Sequence, residues 1–170
     1  MLVLMAGLPG TGKSTLARAL ASRISGTVLD KDAVRHTLFE PRDLEYSTEQ
    51  DDFVMEIMLQ TAAYLFAKDP ARVVFLDGRP FSRNSQVERV KEFATSHEQP
   101  WRILECACSE ASARHRLQSQ QPSGHPAANR DFDLYLAVKQ RFEPIPSLKA
   151  VIDTDRSLES CLELALNALR

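Results

Sequence analysis

The chain has 170 residues, enough for one domain with a substantial core, and its apolar and charged fractions are those of an ordinary soluble globular protein. A formal net charge of −2 supplies no strong field toward nucleic acid or anionic membrane. Three cysteines are too few for a disulfide framework, no stretch reaches the ~18 apolar residues of a membrane span, and the apolar start lacks the features of a secretory signal, so a cytoplasmic address is expected.

Residues 2–6 (LVLMA) read as a strand buried on both faces, as in a parallel sheet. They run into Gly7-Leu8-Pro9-Gly10-Thr11-Gly12-Lys13-Ser14, which fits G-x-x-x-x-G-K-[ST] at every position. A helix from Lys13 to Ile24 follows, with Leu16, Ala17, Leu20 and Ile24 on one stripe. Glycines let such a loop curl so that successive N–H groups point at phosphate oxygens, and the helix aims its positive end at the same anion. Lys13 can bridge the β- and γ-phosphates, and Ser14 can place a hydroxyl on magnesium. Gly7 to Thr15 is therefore the expected site for ATP with magnesium.

Val28 and Leu29 form a short second strand ending at Asp30, and a helix from Asp32 to Phe39 follows until Pro41 stops it. Ser47-Thr48-Glu49-Gln50 has the capping-box pattern and opens a long helix to about Lys68, with Phe53, Ile57, Tyr64 and Leu65 among its apolar positions. Val73 to Leu76 is a third strand, ending at Asp77-Gly78, and Ser82 to about His97 is helical with Val87, Val90 and Phe93 inward. In the fourth strand, Trp101 to Cys108, the two alternating cysteines read as buried residues on one face and not as a metal site. Ser109 caps a helix to about Gln120. A loop of turn residues at 121–126, a helix from Asn129 to Phe142, a fifth strand from Ala150 to Ile152 and a helix from Ser157 to Leu169 complete the chain. Strands alternating with helices call for a single α/β domain over residues 1–170, with helices on both faces of a five-stranded parallel sheet.

The loop does not by itself name a reaction. The chain carries no Asn-Lys-x-Asp guanine motif and no Leu-Ser-Gly-Gly signature, and it is short for an AAA+ machine, which leaves a small phosphotransferase. GLPGTGKSTLA, followed by LDKDAVR, resembles the small P-loop kinase family. Its members include zeta-toxin-like kinases, the kinase domain of phage polynucleotide kinase, chloramphenicol phosphotransferase and gluconate kinase.

The resemblance implies a three-layer P-loop NTPase fold with strand order 2-3-1-4-5 and a helical lid over about residues 110–130. It implies that Asp32 takes the proton from an acceptor hydroxyl and that Arg35, three residues on, holds the acceptor. Asp30 competes for the role of base, and either aspartate could instead be an N-cap of the next helix. Asp77 would touch the acceptor or a magnesium-bound water, so Ser14, Asp32 and Asp77 make up the expected metal set. Arg79 and Arg83 would border the acceptor pocket. Arg116 falls where a lid arginine covers the transferring phosphate. The second such position is Gln120, and Arg130 would supply the missing charge, with His125 another lid residue. Asp155 lies in the loop after the fifth strand, where the adenine packs.

The leading expectation is an ATP-dependent phosphotransferase moving the γ-phosphate to a hydroxyl of a small molecule. A 5′-hydroxyl polynucleotide kinase is the alternative among enzymes, although the chain offers no obvious nucleic-acid track. A sensing module that binds ATP without transfer is the alternative from another class.

Overall fold

Every residue of the first strand, β1 (Leu2–Ala6), is buried, because it lies at the centre of the sheet with layers of helix on both sides. In the computed structural model, which describes residues 1–120, 131–146 and 148–170, the chain continues through α1 (Lys13–Ile24), β2 (Thr27–Asp30) and α2 (Lys31–Leu38). A 3₁₀ turn (Pro41–Asp43) leads to α3 (Thr48–Lys68), β3 (Val74–Asp77), α4 (Asn84–Ser96) and β4 (Trp101–Ala107). Then come α5 (Glu110–Gln120), α6 (Phe132–Gln140), β5 (Ala150–Asp153) and α7 (Leu158–Ala168). The five strands are parallel in the order β2-β3-β1-β4-β5, as the family resemblance implies.

The period of two along each strand divides the core. Leu2, Leu4, Val74 and Leu76 face α3 and α4, where Val54, Met58, Leu59, Ala62, Val87 and Val90 cover them. Val3, Met5, Phe75, Leu104 and Ile152 face α1 and α7, covered by Leu16, Leu20, Leu162 and Ala165. Each such side chain contributes roughly 1.5–3 kcal/mol on burial. A third, smaller cluster joins Ala113 and Leu117 of α5 to Tyr135 of α6, with Leu8 of the glycine-rich loop against it.

Several expectations need local correction. Helix α2 starts at Lys31 and not at Asp32, because Asp30 is the N-cap: its side chain accepts from the N–H groups of Asp32 and Ala33. Ser47 caps α3 through its hydroxyl, which accepts from Gln50 N at 3.1 Å. Gln50, however, does not complete a reciprocal box. Its side chain accepts from Glu45 N and donates to Asp43 O, fixing the loop ahead of the helix. Phe53 and Tyr64, read as apolar positions of α3, are 54% and 65% exposed, since this helix has more apolar residues than one buried stripe can hold. Strand β4 stops at Ala107. Cys106 is buried in the α1 and α7 core, whereas Cys108 is half-buried against the third cluster, so the two do not share a face. The described part of the last lid-side helix starts at Phe132, capped by the Asp131 side chain, and the expected start at Asn129 lies outside the described residues. Among the described residues no helix is long and apolar enough to cross a membrane.

Candidate active site

Strand register sets the site. Ala6 of β1, Asp30 of β2 and Asp77 of β3 end at the same edge of the sheet, with Asp30 paired to Asp77. That carboxyl edge is where open α/β sheets bind ligands. The loop from Gly7 to Gly12 leaves β1 there and feeds α1, and three of its residues, Gly7, Gly10 and Gly12, have positive φ. At Gly7 the requirement is also steric: a Cβ would run into the Cys106 carbonyl oxygen. Gly7 N donates to Pro80 O at 3.1 Å, which ties the loop to the segment after β3. Thr11 is buried and its hydroxyl donates to Leu8 O. Lys13 is 3% exposed and points back into the curl, its Nζ donating to the carbonyls of Gly7 at 2.8 Å and Leu8 at 2.7 Å. Ser14 is half-buried and Thr15 exposed in the first turn of α1.

A cleft of about 140 Å³ opens beside this loop, lined on one side by Pro9, Lys13 and Ser14. Lys31, Asp32, Arg35, Tyr46 and Asp51 line the other side, with Gly78 and Pro80 between, and Leu134 and Val138 of α6 with Arg141 at its C-terminal end closing it. The wall opposite the loop is a network of charges. Arg35 is 1% exposed; its Nη1 donates to Asp32 Oδ1 at 3.0 Å and its Nη2 to Asp51. Lys31 Nζ donates to the same Asp51 oxygen at 2.7 Å and lies 3.9 Å from Asp32. The Tyr46 ring lies under the Arg35 guanidinium, 4.9 Å from its centroid. Burial lowers the Lys31 ammonium from its usual 10.5 to about 8, with the Asp32 charge opposing the shift. Gly78 makes this wall possible, because a Cβ there would sit 2.9 Å from the Lys31 backbone nitrogen.

The two candidate bases are thus separated by environment. Asp30 is occupied as helix cap and as partner of Arg18 at 3.2 Å. Asp32 faces the cleft with Lys13 and Ser14. Asp77 is 1% exposed, adjoins Gly78 in the chain, and neither of its carboxylate oxygens has a hydrogen-bond partner among the described residues. A buried carboxylate left this way suits a cation or its bound water. No group of three or more metal-binding side chains lies together among the described residues. A magnesium ion would therefore depend on phosphate oxygens, as this ion commonly does. Ser14, Asp32 and Asp77 fit that demand. Burial pushes the Cys106 thiol up to about 12, against the opposing charge of Lys13, so it stays protonated and is no nucleophile.

Other expected residues fall elsewhere. Arg79 and Arg83 do not line this cleft; they line a second cavity between α3 and α4. Arg79 turns to Asp52 of α3 because the chain bends at Gly78, with φ of 86°. Arg116 is docked on the loop after β5, its guanidinium donating to the Thr154 hydroxyl at 3.0 Å and carbonyl at 2.7 Å. There it stands beside Gly12 and does not line the cleft that Asp32 faces. Asp155 accepts from Ser109 N at 2.8 Å, and hydrogen bonds from Ser112 and Ser109 hold its carboxyl below the usual range. The Gln120 side chain, His125 and Arg130 lie outside the described residues. Lys31, Asp51 and Arg141 were missed. Only the position of Arg141, at the end of the last lid-side helix, gave a signal; the helix is tied down where Glu143 N donates to Ser82 O and Asn84 N to the Glu143 carboxylate.

Comparison with known proteins agrees with this fold. The fold is shared by a kinase candidate from Chloroflexus aurantiacus at 22% identity, with 99% of this chain and 98% of that one covered and a TM-score of 0.76. It is shared by a gluconokinase from Sinorhizobium meliloti at 16% identity, 99% and 90% covered, TM-score 0.72. The Mycobacterium tuberculosis APS kinase CysC, solved with AMPPNP and APS, matches at 17% identity, 99% and 96% covered, TM-score 0.73. No curated protein matches the sequence significantly. A family model described as an AAA domain, AAA_33, matches residues 2–145. With its glycine-rich loop, its sheet order and most of its length covered by that match, the chain belongs to the AAA_33 family of small P-loop kinases.

Proposed function

We propose that this protein is an ATP-dependent phosphotransferase that moves the γ-phosphate to a hydroxyl of a small-molecule acceptor. The observation that carries the reading is the composition of one cleft: Lys13 and Ser14 on one wall and Asp32 with Arg35 on the other. Lys13 would exchange its two loop carbonyls for phosphate oxygens, and the amides of the loop would hold the remaining charge. Magnesium, held through Ser14 with Asp77 and Asp32 near by, would neutralise charge on the β- and γ-phosphates. Asp32 would accept the proton of the acceptor hydroxyl as its oxygen bonds to the γ-phosphorus. The bond from that phosphorus to the β-phosphate oxygen breaks, and ADP leaves with the electron pair. Arg35, locked by Asp32 and Asp51, orients the acceptor. Arg141, which lines this cleft, would meet the transferring phosphate in place of Arg116, which does not line it. Arg116 and the Thr154–Asp155 loop would flank the nucleotide base.

The test is transfer from γ-labelled ATP with magnesium into pooled sugars, nucleosides and amino alcohols. Label on one acceptor class is expected. Label on 5′-hydroxyl oligonucleotides instead, or nucleotide binding with no acceptor-dependent turnover in any pool, would reject the small-molecule reading.

A further inference from the structure

Two cavities adjoin on the β2–β3 half of the molecule, and both carry more basic than acidic side chains. In the cleft, Lys31 and Arg35 are paired with Asp32 and Asp51, and Lys13 and Arg141 also line it. The second cavity, of about 290 Å³, opens between α3 and α4 and is lined by Asp52, Glu56, Arg79, Arg83, Ser85 and Arg89 among others. The two share a wall: Asp51 and Gly78 line the first, and their chain neighbours Asp52 and Arg79 line the second.

Three guanidinium groups here face two carboxylates, and both carboxylates are already engaged. Glu56 holds Arg89 through two bonds, at 2.7 and 2.6 Å. Asp52 holds Arg79 through Nη2 alone. The Arg79 side chain is 6% exposed, and its Nε is buried without a hydrogen-bond partner among the described residues. No ion pair engages Arg83 among the described residues. The first turn of α4 also borders this space through Ser85 and Gln86, and it carries no acidic residue to offset the positive end of the helix. A carboxylate, phosphate or sulfate group matches planar guanidinium donors presented this way.

We propose that the cavity between α3 and α4 is an oxyanion-binding site formed by Arg79, Arg83 and Arg89. The anion is either a group on the acceptor, reaching over the shared wall from the hydroxyl at Asp32, or a free ion. The first source rests on the phosphotransferase reading; the site itself does not.

Sulfate is the probe, titrated by calorimetry against chloride at equal ionic strength. The protein is first saturated with magnesium and AMPPNP, so that the glycine-rich loop cannot take the anion; that saturation, measured separately, reports on nucleotide binding alone. Saturable sulfate binding is expected, weakened at least tenfold in Arg83→Gln/Arg89→Gln. Both positions are solvent-exposed, and an unchanged melting curve and AMPPNP affinity would show that variant to be folded. No saturable binding to the nucleotide-loaded protein, or equal binding to the folded variant, would overturn the site. Transfer assays with glucose, gluconate and glucose 6-phosphate then separate the sources. An acceptor-borne anion gives preference for the charged sugars, lost in the variant and suppressed by sulfate. A free ion gives sulfate binding with no such preference.

Discussion

The two walls of the cleft are built from different materials. The nucleotide wall is main chain: glycines with positive φ curl the loop, and the buried Lys13 is held by the loop's own carbonyls. The acceptor wall is side chain: Lys31 and Arg35 from α2, Tyr46 from a loop and Asp51 from α3 hold one another. A main-chain site answers to every residue in a short stretch and has little room to vary. A side-chain site can be retuned one residue at a time while the sheet beneath it stays the same.

Substitutions on the two walls should therefore have separable effects. Asp32→Asn should lower transfer by about 10²–10⁴-fold while nucleotide affinity changes little; retained turnover at the wild-type rate would remove Asp32 as the base. Lys13→Ala should lower turnover by about 10²–10³-fold and, unlike the first change, weaken AMPPNP binding in the same titration. If Lys13→Ala spared binding while Asp32→Asn abolished it, the division between the walls would be wrong. Arg35→Met should cost about 2–3 kcal/mol in urea unfolding, less than the loss of a fully buried pair because Lys31 still faces Asp51; a cost under about 0.5 kcal/mol would mean that the network does not hold this wall.

A subtler difference lies in pH. The folded chain releases the Lys31 proton near 8, whereas the unfolded chain keeps it up to 10.5. Between those values the unfolded state binds more protons, so this group makes stability rise with pH, by at most roughly 1.4 kcal/mol per unit. Urea unfolding at about pH 8 and about pH 10 should show the wild type gaining on Lys31→Met, and parallel slopes would argue against a desolvated ammonium there. The smallest effect belongs to Arg18, which is 64% exposed where it pairs with Asp30. Arg18→Ala should cost under about 0.5 kcal/mol, and a loss above 1 kcal/mol would give the junction of α1 and α2 more weight than either wall assigns it.

This asymmetry also explains what could be read from the sequence. The phosphate loop occupies consecutive positions, each with a local reason for its residue, and the alternation of apolar strands with helices fixes the sheet. Lys31 sits between two aspartates and looks like a surface residue; it is buried because Gly78 of β3's loop lies against its backbone and α3 brings Asp51 across. Arg79 and Arg83 follow Asp77 closely, yet the turn at Gly78 sends them to α3 and α4. For Arg116 the helix was legible, but the direction of its side chain was not, because that is decided by Thr154, distant in sequence. Tertiary contacts of this kind leave no periodic trace.

The Thr154 hydroxyl lies within 3.0 Å of the Thr11 carbonyl and 3.1 Å of the Ala107 carbonyl while accepting from Arg116. One small side chain thus rivets three pieces of the molecule: the phosphate loop, the tip of β4 and helix α5. The arm that carries Arg116 is not an independent flap hung beside the loop. It is anchored to the curl itself, so its resting posture is inherited from the shape of the chain at Thr11.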